Sequence, residues 1–411
     1  MAITRRAKLQ RNLKFSFWIQ ALNEIKVINV ISTLFLVHRG LTLSQVLATA
    51  IVFSLVSLLT EIPSSYLADK WGRKKVIILS LVCSFVYWVI NLFASSLPMF
   101  VLGFAFCGLS FSLMSGTDEA FVYDTTRELG EEKNSLKALG QYFSGRRIFK
   151  IIAPLLAVLI AKDLTENQFI FVLMIDVVAT FFGIILSFFI VEPARFLSVE
   201  KMEAGVMKDA FKIIRSNPAI ARAIFNRILL FIASFIIWRI SSEFFINIGV
   251  SVILIGLSAS FYHLVLFFSS RHIDKFLPRI AIERRINWLN YFFIISLGAT
   301  LVCLFLFPNK YLILFLYTFG IIFETTRGSL FSEYYNKQSC SYNRATTLSL
   351  ANFMKSILDI PLLLLGAYLV TFSVNYIFVL SFVLGLIVIV FFSLSGKKTA
   401  CASFPLPKTK F

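Results

Sequence analysis

Charged residues occur inside several long apolar stretches of this sequence. An ionised side chain is costly in an apolar environment, so those found there commonly bind a proton, an ion or a substrate. Carboxyl groups suit proton transfer because burial favours their uncharged form. Arginine suits anion binding because its planar fork matches a carboxylate or a phosphate. The candidate proton or substrate sites are Glu24, Glu61, Asp118, Glu119, Arg146, Arg147, Arg227, Glu324 and Arg327.

Helical spacing separates candidates that can pair locally from those that cannot. Glu324 and Arg327 are three residues apart and share a helix face. They are either a cavity pair tied to transport or a fixed structural ion pair. Asp118 and Glu119 are adjacent and so point about 100° apart, which lets at most one of them face a cavity. The other can bind a neighbouring helix.

Basic residues with no local counter-charge are candidates for binding an anion. Arg146 and Lys150 share a face four residues apart and repel each other. A bound anion, or a carboxylate on another helix such as Asp118, Glu119 or Glu61, must offset that repulsion. Arg227 has no partner three or four residues away and therefore predicts a cavity position.

Other charges in the apolar stretches have local explanations. Lys355 can pair with Asp359, and Arg239 with Glu243, because each pair is four residues apart on one helix. These pairs predict structural roles. Glu24 is different, because Lys26 would not share its helical face. We therefore keep it as a proton or substrate candidate.

The composition requires lipid around the protein. Apolar residues make up 58% of the 411 positions, charged residues 15%, and the mean hydropathy is +0.82. Soluble domains carry roughly 45–50% apolar and about 25% charged residues. The net charge of +18 would suggest nucleic acid in a soluble protein. In a membrane protein basic residues collect in cytoplasmic loops, so we expect no nucleic-acid partner.

Apolar stretches of about 20 residues, the length of a spanning helix, occur twelve times. They fall into two groups of six, separated by a hydrophilic linker. We predict an N-terminal bundle at 1–194, a cytoplasmic linker at 195–222 and a C-terminal bundle with a short tail at 223–411. The predicted spans are 15–37, 44–68, 76–96, 98–122, 137–161, 167–191, 223–248, 251–270, 287–307, 310–333, 345–370 and 372–394.

The loops alternate in their content of Lys and Arg. The tails, the linker and the loops after spans 2, 4, 8 and 10 are rich in basic residues, and the other loops hold only Arg39, Lys162 and Lys310. Because basic loops stay in the cytoplasm, this split predicts cytoplasmic termini and an even number of spans.

The two groups of six spans resemble each other. The segment from Ala153 to Leu156 matches that from Ile360 to Leu363 at an offset of 207, and segments 67–71 and 272–276 match at a similar offset. Parallel repeats of this kind predict a substrate site between two pseudo-symmetric halves. Spans 3, 9 and 12 lack interior charges and span 6 has only Asp176, so every third span predicts an outer scaffold helix.

Residues 66–75 read YLADKWGRKK and closely resemble the signature loop of the major facilitator superfamily. Segments 61–64, 115–120 and 343–349 also resemble bacterial members. The resemblance implies twelve transmembrane helices in two six-helix bundles. It also implies that Asp69, Gly72 and Arg73 form a cytoplasmic gate, with Asp124 as the partner of Arg73. Span 4 has Gly103 and Phe104 where drug antiporters often carry arginine, which weakens the antiporter interpretation.

The sequence contains no nucleotide-binding loop and no metal-binding cluster, so we expect no enzyme activity, cofactor or metal. The predicted function is secondary transport of a small organic solute, with proton-coupled efflux preferred. One alternative is import or facilitated uptake of an anionic nutrient or siderophore-like compound through Arg146, Arg147 and Arg227. Another is a non-transporting receptor on a transporter scaffold. We expect a monomer in the lipid bilayer of the bacterial inner membrane.

Overall fold

The computed structural model describes residues 4–194, 218–271, 280–338 and 344–395. The repeat segment 272–276 and most of the linker lie outside these ranges, and the side chains of Arg146 and of residues 344–353 are also not described. Twelve long helices make up the described part of the chain. They are α1 Arg5–His38, α2 Leu43–Trp71, α3 Arg73–Phe93, α4 Leu97–Glu128, α5 Ser135–Ile160, α6 Glu166–Phe189, α7 Pro218–Asn247, α8 Val252–Arg271, α9 Ile282–Phe305, α10 Lys310–Gln338, α11 Arg344–Leu369 and α12 Asn375–Phe392.

Nine of the twelve described helices are long and apolar enough to cross a membrane by length and composition alone. The other three are α5, α10 and α11. These helices carry many of the intramembrane charges in the sequence, including Lys150, Glu324, Arg327, Lys355 and Asp359.

Each predicted span overlaps one helix, and several helices extend beyond their spans. α1 begins ten residues before the predicted start at 15, and α4 continues six residues past the predicted end at 122. Hydropathy detects only the part of a helix that matches the apolar core of the bilayer. The backbone hydrogen bonds of a helix continue through polar residues beyond that core.

Helix α1 is interrupted near its middle. Its first segment ends at Asn23, a 3₁₀ turn covers Val27–Ile31, and the helix resumes at Ser32. The carboxylate of Asp176, on α6, accepts hydrogen bonds from the backbone N–H groups of Val27 and Ile28 at 2.7 and 3.1 Å. The interruption leaves these two N–H groups without a helical partner, and the fully buried carboxylate of Asp176 provides one for each.

The helices form two sets of six, α1–α6 and α7–α12. In the described part of the chain the sets meet mainly through α1 with α7, α2 with α11, and α5 with α8, and they meet less extensively through α7 with α2 and α8 with α1. The main contacts of α3, α6, α9 and α12 are with helices of their own set. This arrangement confirms the prediction that every third span is an outer scaffold helix.

The two ends of the bundle are defined here by the chain path. The linker end is where α6 ends and α7 begins, and the far end is the opposite one. At the far end a Cβ placed on Gly256 of α8 would lie 2.4 Å from the Val158 methyl carbons of α5. Arg239 of α7 donates from Nη2 to Thr49 of α2 at 3.3 Å and accepts at its carbonyl from Thr33 of α1. The two halves are therefore tightly packed at the far end.

Candidate functional site

A cavity of about 710 Å³ lies between the two halves. Its wall is formed mainly by α1 and α5 on one side and by α7, α8 and α10 on the other. Small-molecule sites typically have volumes of roughly 300–1,000 Å³. The cavity is therefore large enough for an organic solute, and it lies at the position that the internal repeat predicts.

Three charged residues form the wall on the N-terminal side. Glu24 lies 3.9 Å from Lys26 Nζ and 3.6 Å from Lys150 Nζ, with 11% of its side chain exposed. The expectation that Lys26 and Glu24 lie on different faces is wrong, because α1 is not a regular helix after Asn23. The interruption that Asp176 holds brings both charges to the cavity.

A buried ion pair forms part of the opposite wall. Arg327 Nη2 lies 3.1 Å from Glu324 Oε1, and Arg327 is only 1% exposed. Arg327 Nη1 donates to the amide oxygens of Asn290 at 2.8 Å and Asn226 at 3.1 Å. Both members of the pair line the cavity, yet in this conformation Arg327 has the full set of partners typical of a structural pair.

Asn226 and Asn290 were missed as members of this network. Asn226 donates to the backbone oxygen of Phe392, and Asn290 donates to Asn226 at 3.2 Å. Both asparagines are buried, at 0% and 2% exposure. A lone amide side chain within an apolar span was the available signal, because a buried amide requires hydrogen-bond partners.

Arg227 also lines the cavity, as its isolated position in the sequence predicts. Its guanidinium carbon lies 5.9 Å from the ring centre of Tyr335. The face of α7 that follows carries Phe231, Phe235 and Trp238, which line the same cavity. An arginine and an apolar row therefore share one helix face.

Several predicted site residues lie outside the cavity wall. Asp118 Oδ2 is 2.5 Å from the hydroxyl of Tyr142, which also lies 2.8 Å from Gln20 Oε1, so these residues join α1, α4 and α5. Glu119 and Arg147 are exposed. Arg146 lies on α5, and its side chain is outside the described part of the structure. Glu61 is half-buried on α2, within electrostatic range of Lys355 on α11.

The residues of the signature loop lie at the linker end. Gly72, between α2 and α3, has a φ of +107°, a conformation that favours glycine. Arg73 forms an ion pair with Asp124 of α4 and donates to the backbone oxygen of Ala120. Asp69 is exposed in the last turn of α2. The gating role of these residues remains a prediction.

Glu192 is a further member of this network that sequence reasoning missed. Its carboxylate accepts the backbone N–H groups of Arg73 and Lys74 at 2.8 and 2.7 Å. A carboxylate at a helix N-terminus meets unpaired N–H groups and the positive end of the helix dipole. Glu192 follows α6, so this contact ties α6 to α3. All these partners belong to the N-terminal half.

Arg239 does not pair with Glu243 as the sequence predicts. Glu243 accepts a hydrogen bond from Asn247 at 3.2 Å. The Arg239 guanidinium crosses into the N-terminal half, where it bonds Thr49 and lies 5.2 Å from the Phe104 ring centre. A helical spacing shows which residues can pair, but the neighbouring half determines where this side chain points.

The fold and cavity agree with a comparison of sequence profiles. The profile of the Major Facilitator Superfamily matches residues 15–360. The chain belongs to this superfamily of multi-pass membrane transporters, which move small solutes and are not enzymes. No curated protein matches the sequence closely enough to count as a relative.

Solved structures share the architecture at low sequence identity. A mutant of the nucleoside transporter NupG superposes with a TM-score of 0.75 at 12% identity, covering 93% of this chain and 98% of NupG. The xylose transporter XylE from E. coli, in an inward open conformation, gives 0.67 at 13% identity, covering 95% and 97%. A bacterial homolog of the human lysosomal transporter Spinster, inward-facing and occupied, gives 0.68 at 17% identity, covering 93% and 96%. These likenesses establish the fold.

Proposed function

We propose that this protein exports a small organic solute by alternating access and couples that movement to protons. The cavity between the two halves, with carboxylates in its wall, is the observation that carries the proposal. A solute bound there contacts both halves, so rocking one half against the other exposes it to one side of the membrane at a time. Residues 1–194 and 223–411 are the moving bundles, joined by linker 195–222.

The loop charges support an orientation, and export is the direction that we propose for it. Because basic loops stay in the cytoplasm, the linker end and both termini face the cytoplasmic side of a bacterial inner membrane. The packed far end then faces outwards. In this conformation an exporter takes up its solute from the cytoplasm. Asp69, Gly72, Arg73 and Asp124 form the gate at the cytoplasmic end, and the protein works as a monomer.

Glu24 and Glu324 are the proposed coupling carboxylates. Both line the cavity, and each lies within 4 Å of a basic side chain. A solute that displaces such a basic group changes the electrostatic environment of the carboxylate and thereby its affinity for a proton. Glu119 is exposed and outside the wall, so it serves as the control.

Alternating access can be tested without knowing the solute. One pair of spin labels, at Lys162 and Asn247, would measure a distance across the far end. A second pair, at Asn134 and Arg284, would measure a distance across the linker end, and all four positions are exposed. We expect two distance populations for each pair, with the far-end distance long when the linker-end distance is short. One fixed distance at both ends under all conditions would refute the proposal.

Proton coupling can be tested with the solute that most stabilises the purified protein against heat in a screen. In proteoliposomes containing a trapped pH dye, adding that solute should move protons in the wild type. Glu24→Gln and Glu324→Gln should abolish the proton signal, whereas Glu119→Gln should retain it. Transport that ignores a pH gradient and persists in both cavity variants would exclude proton coupling.

A second candidate function is uptake of an anionic nutrient. The described cavity wall holds four basic residues, Lys26, Lys150, Arg227 and Arg327, against two acidic ones, Glu24 and Glu324. That excess favours an anion but says nothing about direction. Accumulation of an anion inside cells that express the protein, lost in Arg227→Ala while the protein level is unchanged, would support uptake over export.

A further inference from the structure

The basic residues of the cavity wall differ in their counter-charges. Arg327 has Glu324 at 3.1 Å. Lys26 and Lys150 share Glu24, at 3.9 and 3.6 Å. Among the described residues, no carboxylate lies within 4 Å of Arg227. Arg227 is therefore the basic residue of the described wall that has no carboxylate partner among the described residues.

A second positive charge lies in the same cavity as Arg227. The Arg227 side chain is half-buried and lies against the Tyr335 ring at 5.9 Å. Arg327, with its own positive charge, is a wall residue of the same cavity. Two guanidinium groups in one partly enclosed site repel each other, and an anion bound there would reduce that repulsion.

An apolar surface begins one turn along α7 from Arg227. The rings of Phe231 and Phe235 are 5.8 Å apart at 13°, and those of Phe235 and Trp238 are 5.9 Å apart at 24°. Near-parallel rings in this order form a row on one face of α7. At about 1.5 Å per residue, the distance along α7 from Arg227 to Trp238 is roughly 16 Å.

We infer that the solute is an amphipathic organic anion, with its acid group on Arg227 and its flat apolar body along the row of Phe231, Phe235 and Trp238. This inference rests on the proposed function and specifies the substrate class of the same cavity. A carboxylate or a phosphate can accept two parallel hydrogen bonds from the arginine fork. The row provides apolar area for the remainder of the molecule.

Other solute classes fit the wall less well. An organic cation would add positive charge to a site that already has four basic and two acidic residues in its described wall. A neutral polar solute would leave Arg227 unbalanced and would gain little from the aromatic row. Specificity is a difference between affinities, so the excess positive charge acts against cations as well as for anions.

Equilibrium binding to the purified protein in detergent tests the inference with defined probes. The probes are 2-naphthoate, its neutral amide and the cationic 2-naphthylmethylammonium, which share one flat body, together with acetate, which lacks it. Equilibrium dialysis should show 2-naphthoate binding roughly ten-fold or more tightly than the amide, the range expected for a charge-assisted hydrogen bond. The cation and acetate should bind more weakly still.

Variants of α7 locate the binding energy. Arg227→Ala should remove the preference for naphthoate over the amide, and Arg227→Lys should restore part of it, which guards against misfolding as the cause. Phe235→Leu should weaken naphthoate and the amide alike. Arg222→Ala is the matched control, because Arg222 is exposed on the same helix and does not line the cavity.

The outcomes separate this inference from the proposed function. An equal affinity for naphthoate and amide, tighter binding of the cation, an unchanged preference in Arg227→Ala or no binding of any probe would each overturn the substrate class. Naphthoate that binds as expected but never crosses a proteoliposome membrane would instead contradict the transport proposal. Export of neutral or cationic solutes only would support the proposed transport function and contradict the inferred anionic substrate class.

Discussion

The far end and the linker end of this bundle are held together by different forces. At the far end the two halves pack directly on each other, with Gly256 against Val158 and Arg239 inserted between Thr49 and Phe104. At the linker end the described contacts of Arg73 and Glu192 join helices within the N-terminal half.

The helices that pack on each other between the halves at the far end must move apart before the cavity can open outwards. An ion-pair network within one half can stay intact while the halves move apart, and it stiffens that half as a single body. The far-end interface thus depends on close packing and on the buried hydrogen bonds of Arg239. The N-terminal half, as a rigid unit, depends on ion pairs and on hydrogen bonds to backbone groups.

The largest effect is expected where the two ends are connected. α1 carries contacts of both ends, and Asp176 holds the interruption between its two parts. Asp176→Ala would leave two buried N–H groups without a partner, at a cost of roughly 1–3 kcal/mol each. The melting temperature in detergent should fall sharply, whereas Asp163→Ala, at an exposed loop site, should change it little. Equal melting of the two variants would refute this role for Asp176.

Closing of the far end should be the next most sensitive feature. Gly256→Ala places a methyl group 2.4 Å from the Val158 side chain and 2.9 Å from the Pro154 carbonyl oxygen. Overpacking of this kind costs roughly 1–3 kcal/mol. Because only the far-end-closed state bears that cost, the variant should shift the population towards far-end opening by roughly ten-fold or more.

The far-end spin-label distance described above measures that shift directly. The control is Gly140→Ala on α5, where an added methyl group meets nothing within 4 Å. If Gly256→Ala and Gly140→Ala show the same distance distribution, close packing at Gly256 does not determine the conformation.

A smaller loss is expected from the linker-end network. Arg73→Ala removes the counter-charge of Asp124, whose side chain is 9% exposed. Breaking a fully buried pair costs roughly 3–5 kcal/mol, and partial exposure of Arg73 should reduce this to about 1–2 kcal/mol. Arg73→Ala should lower both transport and thermal stability more than Lys74→Ala does. Asp69→Asn should lower transport more than Lys74→Ala does. Comparable losses in all three variants would contradict the gate.

The smallest effect is expected for an exposed pair at the linker end. Arg5 bonds Glu128 at 2.5 Å with 57% of its side chain exposed, so Arg5→Ala should cost under about 1 kcal/mol. Arg39 at the far end is 14% exposed, bonds Glu166 at 2.5 Å and donates to the carbonyl of Ala94 at 2.7 Å. Arg39→Ala should therefore lower the melting temperature more, and the reverse order would contradict a larger contribution of the more buried of these two pairs.

The location of the candidate charges could be predicted only in part. Arg227 lines the cavity, and its lack of a helical partner in the sequence was the signal that predicted this position. Asp118 and Glu119 lie outside the wall, in the segment of α4 that follows an interruption between Met114 and Thr117. Lys26 meets Glu24 because α1 is interrupted after Asn23.

The sequence alone determined the number of helices, their division into two sets and the outer position of every third one. Those properties depend on local hydrophobicity and on where ionised groups are tolerated, and both are written residue by residue. Only the tertiary structure decided which charges meet, because helix rotation, two interrupted helices and contacts across the halves set those distances. The Arg239 side chain shows this most clearly, since its partner lies 190 positions away on the other half.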